Sequence, residues 1–239
     1  MQILGRLENA SNNTLLVDIA GVHYVYKPIA GERPLWDFPD ATLAKREVAA
    51  FVLSELLGWN IVPQTTLEIG PEGEGSLQLW VDGSIDDVDL FSPTDVPHGW
   101  HHILSGVDES GQHIVLAHSA NPLLAKLAVF DVIINNADRK AGHILTLPNG
   151  HIVGIDHGVA FHAETKLRTV LWGWINAPIE PELLNDLASL LPKIPGSGLA
   201  ALLSEEEIAA LIDRTNTVLE RQVYPEPSAD WPAVPWPVF

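Results

Sequence analysis

Acidic and basic side chains crowd one short segment of the chain, between residues 135 and 158. Asp138 follows an apolar run, His143 lies five positions after it, and Asp156 lies eighteen positions after it. In phosphoryl transfer one carboxylate orients the nucleophile, and further side chains hold the metal ion that bridges the phosphates. A single Asp in a loop is more often a turn or a cap. The whole group nevertheless indicates metal-assisted phosphoryl transfer, because clustered titratable groups mark functional sites.

An apolar helix and a β-hairpin would hold these side chains together. The spacing of apolar residues predicts a helix over 122–135, directly before Asp138. Two short β segments, 143–147 and 151–155, flank the turn sequence Pro-Asn-Gly, which predicts a hairpin. A hairpin brings the ends of its strands together, so the two carboxylates and the imidazole converge despite their separation in sequence.

The first third of the chain is predicted to be a β-sheet with one helix. Helical spacing predicts the helix over 43–57, and Gly58 closes it. We divide the chain near residue 83, into a domain over 1–83 and a domain over 84–239. Alternating or apolar runs separated by turn residues predict strands over 2–8, 15–19, 22–27, 64–69 and 77–81.

Beyond this boundary the pattern is less regular. Residues 82–113 are polar and are predicted to be irregular. Two helices are predicted over 180–191 and 204–222. The tail over 225–239 is rich in Pro and Trp, which predicts an extended segment docked by its aromatic side chains. Four histidines of the polar segment are expected on the surface of a loop: His98, His101, His102 and His113.

The composition excludes several classes of protein. The chain has 31 Asp and Glu against 13 Lys and Arg, a formal net charge of −18, which argues against a nucleic-acid partner. The absence of Cys excludes a disulfide scaffold, a thiolate zinc site and a cysteine nucleophile. No apolar run reaches the roughly 18 residues of a membrane-spanning helix, and the N-terminus lacks the apolar core of a signal peptide. We therefore expect a globular cytoplasmic protein without stable membrane insertion.

Two motifs in the polar segment resemble those of known kinases. Residues 138–145, DRKAGHIL, resemble the D-R-x-x-x-N-I/L catalytic loop of phosphatidylinositol 3- and 4-kinase-like proteins, which HipA-type kinases share with variations. Residues 155–158, IDHG, are similar to their D-x-G metal-binding motif, the counterpart of D-F-G in protein kinases. The sequences YKP, LWDFP and LWGW, spread along the chain, also resemble an actinobacterial family, the SCO1664 type, that is related to these kinases.

This resemblance implies an α+β, two-lobed protein-kinase-like fold with a small β-rich N-lobe and a mainly helical C-lobe. It also implies an ATP- and metal-dependent phosphotransferase and gives roles to individual residues. Asp138 would be the catalytic base, Arg139 would orient the loop, and Lys140 would neutralise the transferring phosphate. His143 and Asp156 would bind the metal ion, Mg²⁺ or Mn²⁺.

The same resemblance assigns ATP contacts to the first third of the chain. Lys27 is the only Lys before position 45, so it would pair with the phosphates. Glu47 would position Lys27, with Glu55 as an open alternative two helical turns later. The loop over 8–14 would clamp the phosphates, although it is not rich in glycine. Further nucleotide contacts would come from the loop residues Ser11, Asn12 and Asn13 and from the hinge residues Gln78, Trp80 and Val81.

One departure from the kinase pattern keeps other functions open. His143 stands where these kinases carry Asn, and imidazole suits softer metals than Mg²⁺. Transfer could therefore be slow, prefer Mn²⁺ or be lost, and a nucleotide-binding pseudokinase acting as a regulatory scaffold is the alternative. A third hypothesis, which no H-E-x-x-H spacing supports, is a zinc hydrolase built on His143, Asp156, His157 and His162.

The acceptor is left open between a small molecule and a protein. The sequence has no basic amphipathic helix for docking on a membrane, so we expect a soluble acceptor. Lys166 and Arg168, in the segment after the D-x-G motif, would meet an acidic or phosphorylated substrate or lie on the surface. The oligomeric state is equally open.

Overall fold

The computed structural model describes residues 1–7, 12–39 and 41–239. Within these ranges the strands form three separate sheets, and four α-helices accompany them. None of these helices has the length and apolar character needed to span a bilayer. A large apolar core joins the helices, and a smaller one lies under the N-terminal sheet.

The N-terminal sheet is antiparallel and is built from hairpins. The Ala20-Gly21 turn has positive φ at both residues, 54° and 84°, which suits a two-residue hairpin. Each predicted strand is present, although the last begins before residue 77. The strands are β1 (Gln2–Arg6), β2 (Leu15–Ile19), β3 (Val22–Pro28), β4 (Thr65–Gly70) and β5 (Gly73–Leu79), in the spatial order β1-β2-β3-β5-β4.

The central strand β3 has one face toward the small core and the other toward a cleft. Tyr26 is fully buried beside Leu15 and Leu77. Its neighbours Val25 and Lys27 point to the opposite face, because successive side chains alternate along a strand. Both line the cleft. The alternation of β3 therefore places Lys27 at the candidate site.

Helix α1 (Leu43–Leu57) has the predicted bounds. The Glu32 carboxylate accepts hydrogen bonds from its first backbone N–H groups, at Leu43 and Ala44, with distances of 3.2 and 2.9 Å. At the other end Gly58 adopts a left-handed conformation, with φ of 69°, that few other residues tolerate. Because Leu53 and its neighbours are buried in the large core, α1 connects the N-terminal sheet to the C-terminal helices.

The prediction that residues 82–113 are irregular is wrong. They contribute to an antiparallel sheet in the order β6-β8-β7, from β6 (Val88–Phe91), β7 (His101–Val107) and β8 (His113–His118). Polar and histidine residues hid the alternation expected of half-buried strands. His101 is not a surface residue of a loop, because its ring lies 5.2 Å from those of His118 and Trp174. Burial lowers the pKa of His118 to about 4, so the His118 ring is neutral at pH 7.

The remaining elements surround a central helix that is buried on nearly all sides. This helix, α2 (Pro122–Ile134), begins at Asn121, whose side chain accepts from Leu123 N at 3.0 Å, and ends at Asn135 in a left-handed conformation. The hairpin and both later helices lie within a few residues of their predicted bounds. They are β9 (Ile144–Thr146), β10 (Ile152–Gly154), α3 (Pro181–Leu190) and α4 (Glu205–Arg221).

The C-terminal tail (residues 225–239) contains no helix or strand. Its main chain ties it to the rest of the protein. The carbonyl oxygen of Ala233 accepts from Thr169 N at 3.1 Å, and that of Val238 accepts from Ala141 N at 2.8 Å. The tail therefore runs from the segment after the D-x-G motif to the loop that carries Asp138.

Arg46 connects α1 to α4. Its side chain is 1% exposed, donates to the carbonyl oxygen of Ala160 at 2.5 Å and pairs with the Glu207 carboxylate. Glu207 also accepts from the backbone N–H of Ser204 at 2.8 Å, as part of a capping box. One carboxylate thus caps α4 and neutralises a buried cation.

Glu207→Gln is expected to lower the free energy of unfolding by about 3–5 kcal/mol, because it leaves Arg46 buried without its carboxylate. Urea unfolding followed by circular dichroism measures the change. Glu206→Gln removes an exposed charge from the same helical turn and is the matched control, expected to cost at most about 1 kcal/mol. Equal losses for the two variants would contradict the role of the ion pair.

Candidate active site

A cleft of about 910 Å³ opens between the N-terminal sheet and the β9–β10 hairpin. β3 and the end of β5 line one side, and the Asp138 loop (residues 138–143) lines the other. The volume is near the top of the roughly 300–1,000 Å³ range of small-molecule sites. The predicted site residues that line the cleft are Asn12, Lys27, Glu47, Gln78, Trp80, Val81, Asp138, Lys140, His143 and Asp156.

Lys27 lies between two carboxylates. Its Nζ donates to Glu47 Oε1 and, at 2.9 Å, to Asp156 Oδ1. The Glu47 side chain is 3% exposed, and its other oxygen accepts from the backbone N–H of His157 at 2.9 Å. Glu55 is exposed at the far end of α1. Glu47 is therefore the residue that positions Lys27, and it also joins α1 to the segment that carries Asp156.

These charges fix one another's protonation state. Burial acts to lower the pKa of Lys27, but Asp156 and Glu47 outweigh it and raise that pKa above its usual range. Burial acts to raise the pKa of Asp156, but Lys27 and His143 outweigh it and hold that pKa well below its usual range. Lys27 is thus a cation and Asp156 an anion at neutral pH. A phosphate-binding ammonium and a metal-binding carboxylate need these states.

Arg139 supports the site from behind. It has no exposed surface and does not line the cleft. Its guanidinium donates to the Asp131 carboxylate at 2.9–3.1 Å, and its Nη1 donates to the carbonyl oxygens of His143 and Ile155 at 3.1 and 2.9 Å. Arg139, predicted to orient the loop, therefore holds the Asp138 loop and the approach to Asp156 in one frame.

Asp138 lies at the cleft wall with 28% of its side chain exposed. Its backbone N–H donates to Asn136 Oδ1 at 3.0 Å, and Lys140 Nζ lies 3.4 Å from its Oδ2. Burial raises the pKa of Asp138, and Lys140 and His143 offset that only in part. A raised pKa makes a carboxylate a better proton acceptor. Asp138 can therefore take a proton from a hydroxyl group in the cleft.

His143 and Asp156 have the geometry of two ligands of one divalent ion. His143 Nδ1 faces the carbonyl oxygen of Asp138 at 3.0 Å, so Nδ1 carries the proton and Nε2 presents a lone pair. Burial lowers the pKa of His143, which keeps the ring neutral. Nε2 lies 3.4 Å from Asp156 Oδ2, close to the spacing of about 3 Å between neighbouring ligands of an octahedral ion. An ion such as Mg²⁺ or Mn²⁺ held by this pair would take its further ligands from phosphate and water.

The phosphate-clamp residues are divided. Ser11 lies outside the described residues. Asn12 lines the cleft, and its Oδ1 accepts from Arg33 N at 2.9 Å. The Asn13 side chain instead donates to Glu72 at 2.5 Å, at the β4–β5 turn, and does not line the cleft. Of the two described asparagines, only Asn12 is therefore in position to meet a ligand.

The hinge residues all line the cleft but in different ways. Gln78 is 6% exposed and donates to Thr65 Oγ1 at 2.9 Å, so its side chain closes the back of the cleft. The Trp80 indole donates to Asp82 at 2.9 Å. Within the described ranges the backbone N–H and C=O of Val81 make no hydrogen bond, which leaves them available to a planar base.

The four residues of the zinc-hydrolase hypothesis do not all meet at one point. His157 is fully buried and accepts from Arg139 Nη2 at 2.7 Å, and His162 accepts from Glu164 N at 3.0 Å. Neither lines the cleft. Across the described parts of the chain, no group of three or more His, Asp or Glu could hold a metal ion. The His143–Asp156 pair therefore needs ligand oxygens from a bound molecule.

Several residues that line the cleft were not assigned to the site from the sequence. Trp36, Trp231 and Trp236 line its outer part, and Trp236 is 85% exposed, so the prediction that aromatic side chains dock the tail is wrong for Trp236. Lys166 and Arg168 were expected to meet a substrate or to lie on the surface. Arg168 lines the cleft, whereas Lys166 is 3% exposed and pairs with Asp37. For Trp231 and Trp236, the only signal in the sequence was the concentration of Trp in the tail.

Comparison with known proteins identifies the family. Residues 123–220 match the family described as "Phosphatidylinositol 3- and 4-kinase". "Protein Rv2133c" of Mycobacterium tuberculosis is 44% identical over 257 residues, which cover 100% of this chain and 92% of the relative. The chain belongs to this actinobacterial family. The recognised kinship with the phosphatidylinositol 3- and 4-kinases is thereby confirmed.

The solved structures place the family in a fold class. The golgi casein kinase has a TM-score of 0.52 at 12% identity, with 92% of this chain and 71% of that chain covered. The Helicobacter pylori proinflammatory kinase CtkA has a TM-score of 0.46 at 13% identity, with 92% and 91% covered. The predicted α+β, protein-kinase-like fold is therefore confirmed by the first of these, with the β6-β8-β7 sheet as an unpredicted element.

Gly154→Ala is expected to lower the free energy of unfolding by about 1–3 kcal/mol. The added Cβ would lie 2.9 Å from Arg139 Nη2 and 3.1 Å from its Cζ, and the buried guanidinium has no room to retreat. Thermal unfolding measures the loss. Gly196→Ala is the control, because a Cβ added there would meet no atom within 4 Å and its φ lies outside the left-handed region. Equal stability of the two variants would show that the guanidinium moves freely.

Proposed function

We propose that this protein is an ATP- and metal-dependent phosphotransferase of the cytoplasm. The observation that carries the proposal is the chain of contacts from Glu47 through Lys27 to Asp156, with Asp138 on the same cleft. In kinases the Lys–Glu pair and the metal-binding Asp must both be in place for transfer. The family and the fold support kinase-like chemistry.

The cleft offers a position for each part of ATP. The adenine would lie between Val25 and Leu145 and bond to the free main-chain groups of Val81. The phosphates would extend toward Lys27, whose positive charge is kept by its two carboxylates. The residues that would hold a metal are His143 and Asp156, and the metal would neutralise charge on the phosphate oxygens.

Transfer would then depend on Asp138. An acceptor hydroxyl beside it would pass its proton to the carboxylate as its oxygen bonds to the γ-phosphorus. Lys140, 3.4 Å from the carboxylate, would stabilise charge on the transferring group. Arg139 would keep the loop in position without contact to substrate.

A pseudokinase that binds nucleotide as a regulatory scaffold is the second candidate function. The observation in its favour is His143, which supplies a nitrogen ligand where these kinases use an amide oxygen. The contacts of Lys27 with Glu47 and Asp156, with Asp138 on the same cleft, favour an enzyme. Measurement of ATP consumption by the purified protein, alone and with cell lysate, separates the two.

Asp156→Ala is expected to remove metal-dependent binding of ATP, because it deletes one of two protein ligands and one partner of Lys27. Asp138→Ala is expected to keep that binding and to lose phosphoryl transfer by about 10²-fold or more. Calorimetric titration with ATP and Mn²⁺ and an ATP-consumption assay give the two readouts.

Asp213→Ala removes an exposed carboxylate of α4 and is the matched control, expected to change neither readout. Loss of transfer with binding intact in Asp138→Ala supports an enzyme. Normal binding and normal turnover in both cleft variants would contradict the proposed function.

His143→Asn is expected to shift the metal preference from Mn²⁺ toward Mg²⁺. An amide oxygen is a harder ligand than an imidazole nitrogen, and Mg²⁺ prefers oxygen. The ratio of nucleotide affinities with the two ions, measured by calorimetry, tests this without reliance on turnover. His151→Asn, at a half-buried position of the β9–β10 hairpin outside the cleft, controls for the change of residue type. An unchanged ratio would exclude His143 as a ligand.

A further inference from the structure

Arg168 lies next to Asp138 on the outer side of the cleft. Its backbone N–H donates to the Asn136 carbonyl at 2.9 Å, and its carbonyl accepts from Arg139 N at 3.0 Å, so it is paired on both sides of Asp138. Its Nε donates to the Ala137 carbonyl at 2.6 Å. These three bonds hold Arg168 against the segment that carries Asp138, and Arg168 lines the cleft.

Lys140 and Lys166, two other cations along these segments, are neutralised by carboxylates, whereas Arg33 also lines the cleft and has no ion pair within the described residues. Lys140 pairs with Asp138, and Lys166 pairs with Asp37 at 2.9 Å. Within the described residues, no carboxylate oxygen lies within 4.0 Å of the Arg168 guanidinium. A guanidinium in a cleft is a forked donor for carboxylate or phosphate. In a chain of net charge −18, this position favours an anionic ligand.

One tryptophan contacts Arg168, and two more line the same cleft. The ring centroid of Trp231 lies 5.3 Å from the Arg168 guanidinium carbon, so the two groups are in cation–π contact. Trp236 and Trp36 also line the cleft and are 85% and 86% exposed. Large aromatic side chains at this exposure are typical of ligand-binding surfaces. They offer flat apolar cover for the body of a molecule whose anionic group meets Arg168.

The tail limits the size of that molecule. It is bonded at Ala233 to the residue after Arg168 and at Val238 to the Asp138 loop. Trp236 lies between these two attachment points and on the cleft. The tail thus runs along the cleft beside Arg168 and the Asp138 loop, which narrows the space for an extended protein substrate. The remaining space suits a small molecule.

We propose that the phosphoryl acceptor is a small hydroxyl compound that carries a carboxylate or phosphate group, bound by Arg168 and covered by Trp231 and Trp236. This rests on the proposed function. The acceptor hydroxyl oxygen forms a bond to the γ-phosphorus. The bond from that phosphorus to the β–γ bridging oxygen breaks, and its electron pair leaves with ADP. The hydroxyl proton goes to Asp138.

Calorimetric titration of the full chain tests the subsite. The protein is first saturated with a non-hydrolysable ATP analogue and Mn²⁺, so that the phosphate positions are filled. Phenyl phosphate, mandelate and benzyl alcohol are then titrated as the anionic and neutral probes. We expect at least one of the two anions to bind about tenfold or more tightly than the alcohol.

Four variants separate charge, aromatic cover and folding. Arg168→Met is expected to lower the affinity for the anionic probe about tenfold or more, and Arg168→Lys is expected to lower it less. Trp236→Ala removes an exposed ring and leaves no cavity, so this variant is expected to fold. It is expected to lower the affinity for every bound probe severalfold. Arg221→Gln, an exposed cation outside the cleft, is the control and is expected to change nothing.

The outcomes distinguish this proposal from the proposed function. If wild type fails to bind the ATP analogue, the proposed function is wrong. If it binds the analogue but neither anion, or if Arg168→Met or Trp236→Ala binds them as wild type does, the acceptor subsite alone is overturned. Phosphorylation of casein that appears only in Trp236→Ala would also overturn it, because the tail would then exclude a protein acceptor instead of covering a small one.

Discussion

The buried ion pair between Arg139 and Asp131 is the contact on which the site depends. Neither side chain has exposed surface, and removal of one partner from such a pair costs about 3–5 kcal/mol. Asp131 belongs to α2, while the guanidinium also binds the main chain at His143 and Ile155. One planar cation therefore joins the central helix, the Asp138 loop and the strand that leads to Asp156. The relative positions of Asp138 and Asp156 on the cleft therefore depend on the Arg139 guanidinium.

The same cation also acts through its charge. Burial is the main cause that lowers the pKa of His143 and of His157, and Arg139 lowers both further. His157 accepts from the guanidinium and remains in the core, whereas His143 turns its free nitrogen toward Asp156. The neutral state that a metal-binding imidazole requires is thus supported by a positive charge that never reaches the cleft. Arg139 therefore contributes to position at the site and, after burial, to protonation.

The sequence predicted what local pattern and spacing determine. Helix α1 has its predicted bounds because helical periodicity and a closing glycine agree, and Lys27 meets Glu47 because strand alternation and helix position combine. The β6-β8-β7 sheet was not predicted, since its strands lack an apolar alternation. The place of Trp236 on the cleft was not predictable either. It depends on main-chain bonds from Ala233 to Thr169 and from Val238 to Ala141, far apart in the sequence, which leave no periodic signal.

The acidity of the chain constrains how a nucleotide can reach this cleft. A net charge of −18 repels a free triphosphate at long range, and only salt shortens that range. Within the cleft, Lys27 is already matched by two carboxylates, so it brings no surplus charge to attract a polyanion. A divalent ion would offset both the long-range repulsion and the lack of surplus positive charge in the cleft. It would lower the charge of the nucleotide and bind to the facing lone pairs of His143 and Asp156. For the proposed nucleotide site, the electrostatics of the chain would therefore favour the metal–nucleotide complex over the free nucleotide.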